Sequence, residues 1–388
     1  MNFAPSDDQQ RIRDAVLEAC RPFDDAYWLQ RDRDGGFPQE LYRAMADGGW
    51  LGICMPTEYG GSGLGLVEAA TMMRAVSESG AGMSGASALH MNIFGLNPVV
   101  VFGSEAQKRR MLPPIAAGQQ KACFAVTEPN TGLNTTRLKT RAVRRGDHYV
   151  VDGAKVWIST AQVADRMLLL ARTTPLDNVT QPAQGLSLFY TALDRRHVQV
   201  REIDKMGRKC IDSNELFIED LQIPVEDRIG DEGRGFDCIL HGMNPERVLI
   251  AAEAVGLGHL ALSRASAYAK QRIVFDRPIG QNQAIQHPLA ANWMALEAAW
   301  LMTMKAAWLY DQGRSCAAEA NAAKYLAGEA AYEACQQAVM THGGFGYAKE
   351  YHVERYLRES LIPRLAPISP QLVLCYIAEK VLGLPKSY

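Results

Sequence analysis

Four short segments carry residue types suited to holding a cofactor. The first is Phe124-Ala125-Val126-Thr127-Glu128-Pro129-Asn130-Thr131-Gly132-Leu133-Asn134, where a strand pattern enters a Pro- and Gly-containing turn rich in small polar side chains. Such a turn presents N–H groups and hydroxyls that can hold a phosphate or the polar edge of a ring. In the second, Gly153 to Ala161, strand alternation predicts Lys155, Trp157 and Ser159 on one face and Val156 and Ile158 on the other. A tryptophan beside a hydroxyl could stack on an aromatic cofactor and hydrogen-bond it. The third runs from Arg272 through Phe275 to Gln283, in a breaker-rich gap between two helical stretches. There a guanidinium suits pyrophosphate, and a ring and an amide suit adenine. The fourth, Gly343-Gly344-Phe345-Gly346-Tyr347, is a loop through which backbone can approach a phosphate closely. It opens no periodic helix at once, so it is no dinucleotide fingerprint. Taken singly, each segment also reads as plain structure: a strand exit, a core tryptophan, an inter-helix turn, a helix stop.

The elements that must position these segments fall into three zones. Residues 1–121 carry apolar residues at three- and four-residue spacing, with Gly and Pro at the joints, as in Pro56-Thr57-Glu58-Tyr59-Gly60-Gly61. Residues 122–234 shift to short strand patterns bounded by turns, with a hairpin signal at Arg145-Gly146-Asp147. Residues 235–388 return to helical patterns, with long helices expected over Val248–Arg272, Ala284–Gln312 and Ala317–His342. Gly256-Leu257-Gly258 reads as helix-packing glycine. The order predicts an α+β fold without alternating βαβ units, and hence no Rossmann sheet.

Composition narrows the chemistry. The 388 residues are 47% hydrophobic, enough for large cores, and their net charge is −2. That balance gives no electrostatic reason to expect nucleic acid or an anionic membrane as partner. The eight cysteines include no C-x-x-C pair, so neither a disulfide framework nor a metal site is expected. The first residues lack the basic and apolar regions of a signal peptide, and no uninterrupted apolar run approaches a membrane span. A cytoplasmic protein without a membrane span is the expectation.

Together, in order and spacing, the segments resemble the acyl-CoA dehydrogenase family. Thr127-Glu128-Pro129, Trp157-Ile158-Ser159, Arg272 with Phe275, Gly343-Gly344-x-Gly346, Pro56-x-x-Tyr59-Gly60-Gly61 and Glu215-Leu216-Phe217 leading to Pro224 all fall in family order. The resemblance implies an N-terminal helical domain over 1–121, a small central β-barrel or sandwich over 122–234, and a C-terminal four-helix bundle over 235–388. It implies FAD as cofactor, an acyl-CoA substrate, electron-transfer flavoprotein as acceptor, and a homotetramer built as a dimer of dimers. By position, Phe124, Val126, Thr127, Gly132 and Leu133 would line FAD, Trp157 would flank its ring and Ser159 would bond its polar edge. Arg272, Phe275, Gln283, Gly343 and Gly344 would reach the FAD of a neighbouring subunit. Leu133 departs from the usual Ser, and Met340 from a frequent Gln.

The chemistry implied needs a desolvated carboxylate to take the α-proton and hydrogen-bond donors for the thioester carbonyl. Most of the family places that carboxylate where this chain has Pro367, which offers neither a carboxylate nor an N–H. A minority, the isovaleryl-CoA and long-chain type, uses a Glu on the first bundle helix, and Met243-Asn244-Pro245-Glu246-Arg247 supplies one. Glu246 is therefore the expected base, with Pro245 read as a first-turn residue that places Glu246 near a helix N-terminus. Arg247 is expected beside the substrate, and the Ile368 amide is expected to replace the donor missing at Pro367. Glu359 is read as structural. Two rivals stay open: an acyl-CoA oxidase passing electrons to oxygen, and a non-catalytic flavoprotein that only binds acyl-CoA.

Overall fold

The computed structural model describes residues 4–387, apart from the Phe94 side chain. It begins with helices α1 Asp7–Cys20, α2 Asp25–Asp34, α3 Gln39–Asp47, α4 Leu66–Val76, α5 Gly82–Phe94, α6 Asn97–Phe102 and α7 Glu105–Ala116. Ser6 and Ser104 open α1 and α7 with capping boxes completed by Gln9 and Gln107, which satisfy two otherwise orphaned donors at each end. The apolar faces of α1, α3, α4 and α5 meet through Val16, Leu41, Met45, Met72, Met73 and Leu89. Val248 and Leu249, from a later helix, join the same core.

The β unit is one eight-stranded sheet of β1 Ala122–Ala125, β2 Arg141–Arg145, β3 His148–Ser159, β4 Arg166–Arg172, β5 Leu186–Ala192, β6 Val198–Glu202, β7 Ser213–Pro224 and β8 Arg228–Ile229. The strands run in the order β6-β7-β3-β2-β4-β5-β8, with β1 paired parallel to β4. The expected hairpin is present, β2 and β3 closing on Arg145 opposite His148 around Gly146-Asp147. Along β4, Met167, Leu169 and Ala171 face one core while Leu168 and Leu170 face another, so both sides of this strand are covered. Tyr149 of β3 and Phe189 of β5 stack edge to face at 5.0 Å although their strands are not neighbours. The sheet therefore wraps over its own inner core, the sandwich-like arrangement that was expected. Strand β6 was not foreseen, because Val198 and Val200 are its only apolar residues.

The C-terminal unit holds α8 Gly235–Gln271, a small hairpin of β9 Ile273–Val274 and β10 Arg277–Pro278, α9 Gln283–Asp311 and α10 Ala317–His342. Three short helices follow: α11 Val353–Ser360, α12 Ile362–Leu365 and α13 Pro370–Tyr376. The long helices approach through small residues, Ala251, Ala254, Ala299, Ala323, Ala327 and Ala331. Gly258 sits where a Cβ would come within 2.4 Å of Leu296 Cδ2, and one at Gly256 within 2.4 Å of the Arg74 carbonyl oxygen. Both are packing glycines, as the sequence suggested. Helix α8 begins thirteen residues before the expected Val248, with Pro245 in its interior and not in its first turn.

Among the described residues, three stretches would suffice by length and hydropathy to cross a membrane: Leu66–Phe102, Gly235–Gln271 and Val353–Val381. This corrects the expectation that no such segment exists. In the first two most of the apolar window is buried inside the protein, so packing explains their composition; the third is largely uncovered.

Candidate active site

The site builds from the β unit first. Lys155 is fully buried and directs its three ammonium protons to the Val126 carbonyl at 3.0 Å, Glu128 Oε1 at 3.1 Å and the Leu170 carbonyl at 2.8 Å. Glu128 in turn accepts the N–H groups of Lys139 and Thr140 at 2.7 and 2.8 Å. Burial drives the Lys155 ammonium down to about 8, with Glu128 opposing the fall. This buried clamp fixes the turn that carries Thr127, whose carbonyl accepts the Val156 N–H at 3.0 Å.

Directly after the clamp, β3 slips its register against β7 between Lys155 and Ile158, and Trp157 adopts φ 61°. Such a bulge re-aims side chains. Lys155 and Ile158 turn inward, while Trp157 is 59% exposed. The expected common face of Lys155, Trp157 and Ser159 is therefore wrong: strict alternation fails because one extra residue occupies the ladder. The bulge presents the indole outward beside the Thr127 turn, and Ser159 is half-buried opposite Ser213.

Farther round the turn, Gly132 and Leu133 are exposed and a Cβ at Gly132 would meet nothing within 4 Å. The Thr131 hydroxyl beside them is buried without a hydrogen-bond partner. A hydroxyl so placed next to an open glycine suits a phosphate-bearing ligand. Thr131 escaped the sequence reading because nothing in one sequence marks a hydroxyl as unpaired. The Val126 side chain lies in the core, so the turn presents its main chain there; Phe124 is half-buried against two cores.

The second set gathers at the far end of α8. Arg272, Met340, Gly343, Gly344 and Phe345 line a groove of about 550 Å³ together with Tyr268. The Arg272 guanidinium lies over the Phe345 ring at 5.7 Å. Gly343 ends α10 with φ 60°, a positive value that glycine adopts without strain. Phe275 and Asp276, both with positive φ, form the tip of the β9–β10 hairpin, and Phe275 is 94% exposed. Gln283 is exposed at the start of α9. Along α8, Arg272 lies 26 residues beyond Glu246, or roughly 39 Å at 1.5 Å per residue.

Glu246 stands three turns inside α8, which overturns the expected N-terminal position and its dipole argument. Its setting is electrostatic in another way. Burial raises its carboxyl to about 7, with His90 and Arg247 pulling it down and Glu253 pushing it up. Glu253 is seven residues on, on the same face of α8, and is fully buried. Its Oε1 lies 2.5 Å from His90 Nδ1 of α5, while its Oε2 has no partner. Burial alone would lower the His90 imidazole; the Glu253 carboxylate overrides this and raises it. Arg247 is half-buried, bonds Asn244 Oδ1 at 3.0 Å and keeps an unpartnered Nε. Neither His90 nor Glu253 was singled out from sequence, although a lone Glu in the apolar run Val248–Leu257 is a signal that could have found it.

Two further buried cations shape the surroundings. Arg355 bonds Glu359 at 3.2 Å and the Gly80 carbonyl at 2.8 Å, while Glu359 accepts the Ser84 hydroxyl at 2.6 Å and its N–H at 3.1 Å. Glu359 thus pins the start of α5, the helix that carries His90. Lys324 of α10 donates to the carbonyls of Arg364 and Ile368 at 3.1 and 2.6 Å, securing the loop around Pro367. The Ile368 N–H enters none of the backbone hydrogen bonds among the described residues.

Comparison with known proteins places this fold in a family. The family descriptions "Acyl-CoA dehydrogenase, N-terminal domain", "middle domain" and "C-terminal domain" match residues 6–119, 123–221 and 233–366. Acyl-CoA dehydrogenase FadE12 of Mycobacterium tuberculosis is 36% identical, with 100% of this chain and 99% of that protein covered. Caffeyl-CoA reductase-Etf complex subunit CarC of Acetobacterium woodii is 34% identical, over 84% of this chain and 86% of its own. The solved FAD complex of PigA superposes with a TM-score of 0.93 at 27% identity, covering 99% of this chain and 100% of that one. The outward indole, the open Gly132 and the orphaned Thr131 hydroxyl fit FAD, the cofactor of this fold. The chain belongs to the acyl-CoA dehydrogenase family and is an FAD-dependent oxidoreductase.

Proposed function

We propose that this enzyme dehydrogenates an acyl-CoA thioester to the trans-2-enoyl-CoA with Glu246 as the base. The observation that carries the reading is the setting of Glu246: a half-buried carboxyl that loss of solvent lifts to about 7, within electrostatic reach of His90 and Arg247, while Pro367 has neither a carboxylate nor an N–H. A carboxylate lifted to that range is basic enough to take a thioester α-proton while about half of it stays ionised at neutral pH. Bound FAD supplies a hydride acceptor for Cβ. Trp157 offers the flavin a flat apolar face and Ser159 a hydroxyl, on a bulge anchored by Lys155 and Glu128. The free N–H of Ile368, on a loop tied down by Lys324, is the donor assigned to the thioester carbonyl.

The same reading makes the assembly a homotetramer. Arg272 closes α8 roughly 39 Å along the helix from Glu246, Gly343 and Gly344 line the same groove as Arg272, and the hairpin with Phe275 and then Gln283 follow it in the chain. Their chemistry therefore suits the FAD of a neighbouring subunit. Exposed Met294, Leu301 and Trp308 on α9 supply an apolar face for such an assembly. Electron-transfer flavoprotein is the acceptor this reading assigns, supported by the CarC relative, which is named as a subunit of an Etf complex.

Anaerobic mixing of the holoenzyme with a panel of acyl-CoAs tests the reading. The wild type bleaches its oxidised flavin with at least one of them, and Glu246→Gln keeps FAD but fails to bleach. Normal flavin reduction in Glu246→Gln overturns the assignment of the base.

A further inference from the structure

A carboxylate on the apolar face of a buried helix is costly unless something answers it. Helix α8 carries Glu253 in the middle of such a face, in the run Leu249-Ile250-Ala251-Ala252-Glu253-Ala254-Val255. What answers it is His90, brought in by α5 at 2.5 Å, and both side chains are withdrawn from solvent. Only one carboxylate oxygen of Glu253 is used; the other is buried and unpartnered. A pair that served packing alone could be replaced by two apolar residues at no loss, and a half-satisfied buried pair is poor value for stability. Seven residues separate Glu246 from Glu253, which is two helical turns and returns to the same face within about 20°. The pair therefore lies on the face of α8 from which Glu246 projects.

We propose that the buried His90–Glu253 pair positions and tunes Glu246: the imidazolium, held charged by Glu253, keeps the Glu246 carboxylate ionised before it accepts the substrate α-proton. The inference rests on the reading of Glu246 as the base. In the step itself, the Cα–H bond breaks, an O–H bond forms on Glu246, and the bonding pair stays with the thioester enolate. His90 keeps its own proton throughout and acts through Glu246, so it is a positioning residue.

The charges around the two groups agree in sign. Glu246 faces His90 from α5 and Arg247 and Glu253 from α8; of these, His90 acts most strongly and favours the ionised form. His90 faces Glu253 and Glu246 from α8, and Arg208 from the segment between β6 and β7. Arg208 itself bonds Ser87, one turn before His90 on α5, at 2.8 Å. It faces Glu253, Glu359, Cys210 and Asp212. The pair is neutral overall, so its influence on Glu246 is that of an oriented dipole with its positive end the more effective.

The test is the pH profile of flavin reduction, measured anaerobically on FAD-loaded protein with a saturating acyl-CoA that bleaches the wild type. His90→Gln is expected to move the acid limb to higher pH by about half a unit or more, since the base loses its stabilising charge. Its reduction rate should approach the wild-type rate at alkaline pH and fall away below neutrality, with little change in KM. The double variant His90→Gln/Glu253→Gln removes both charges yet leaves amides able to bond each other. It should displace the limb in the same direction but by less, since the opposing Glu253 charge goes too, and it decides the matter if the single variant folds poorly. An acid limb in its wild-type place, or a rate lowered equally at every pH, overturns the proposal. Glu246→Gln separates the two levels: if it still bleaches, the base assignment has failed, and if it does not while the limb stays put, only this inference has.

Discussion

Glu246→Gln should trade catalysis for stability, by an amount the structure sets. Folding moves the carboxyl from an ordinary 4.5 to about 7, chiefly by burial. At about 1.4 kcal/mol per tenfold change in proton affinity, keeping that group ionised in the folded state costs roughly 3 kcal/mol. The sign follows from linkage: the folded state binds this proton more tightly than the unfolded chain. The contribution is therefore intact below about 4.5 and is lost as pH rises through about 7. Glutamine keeps the shape but cannot ionise. The variant should match the wild type near the acid end and gain on it with rising pH, the gap growing towards roughly 3 kcal/mol by about pH 8. Urea unfolding followed by tryptophan fluorescence, at fixed protein and FAD concentrations, reads the gap at several pH values. Only its change with pH matters, because a constant offset reflects the amide's own contacts. Two curves running parallel from pH 5 to 8 would refute the reasoning: Glu246 would then be solvated, and too weak a base for a thioester α-carbon.

Three other outcomes are expected. Lys155→Met leaves the Glu128 carboxylate buried without its counter-ion, so the thermal midpoint should fall by the equivalent of roughly 3 kcal/mol; an unchanged midpoint contradicts the clamp. Trp157→Ala removes an indole that is mostly exposed, so unfolding should shift by less than about 1 kcal/mol while the flavin-to-protein ratio after gel filtration drops. Full FAD retention there would remove the indole from the cradle. Phe275→Ala, at an exposed hairpin tip, should leave far-UV circular dichroism unchanged but lower both the assembly size in sedimentation and FAD retention; loss of FAD from an intact assembly would assign Phe275 to the cofactor alone.

Much of this protein is legible in its chain. Helical spacing places α9 and α10 almost to the residue, since both are long, strongly periodic and bounded by breakers. The turn Arg145-Gly146-Asp147 fixes the β2–β3 register, because two residues with glycine admit few hairpin geometries. The order of Thr127-Glu128-Pro129, Trp157-Ile158-Ser159 and Gly343-Gly344 was enough to name a family. Some secondary-structure readings failed, each for a local reason. Strand β6 carries too little apolar pattern to show. Pro245 reads as a helix start, but the flanking core of α8 holds it within a longer helix. Alternation places Trp157 with Lys155, whereas a bulge separates them.

What tertiary structure alone decided is the electrostatic environment. A sequence can offer Glu246 as a carboxylate on a helix; it cannot say that the helix is buried there, nor that α5 brings His90 to Glu253 across 163 positions of chain. Whether Lys155 is a surface charge or a buried clamp also depends on which strands enclose it. The order of motifs is a property of the chain, and so the family and the cofactor follow from it. The proton affinity of a carboxyl depends on the solvent removed from it and the charges brought to it, and only the folded arrangement sets those.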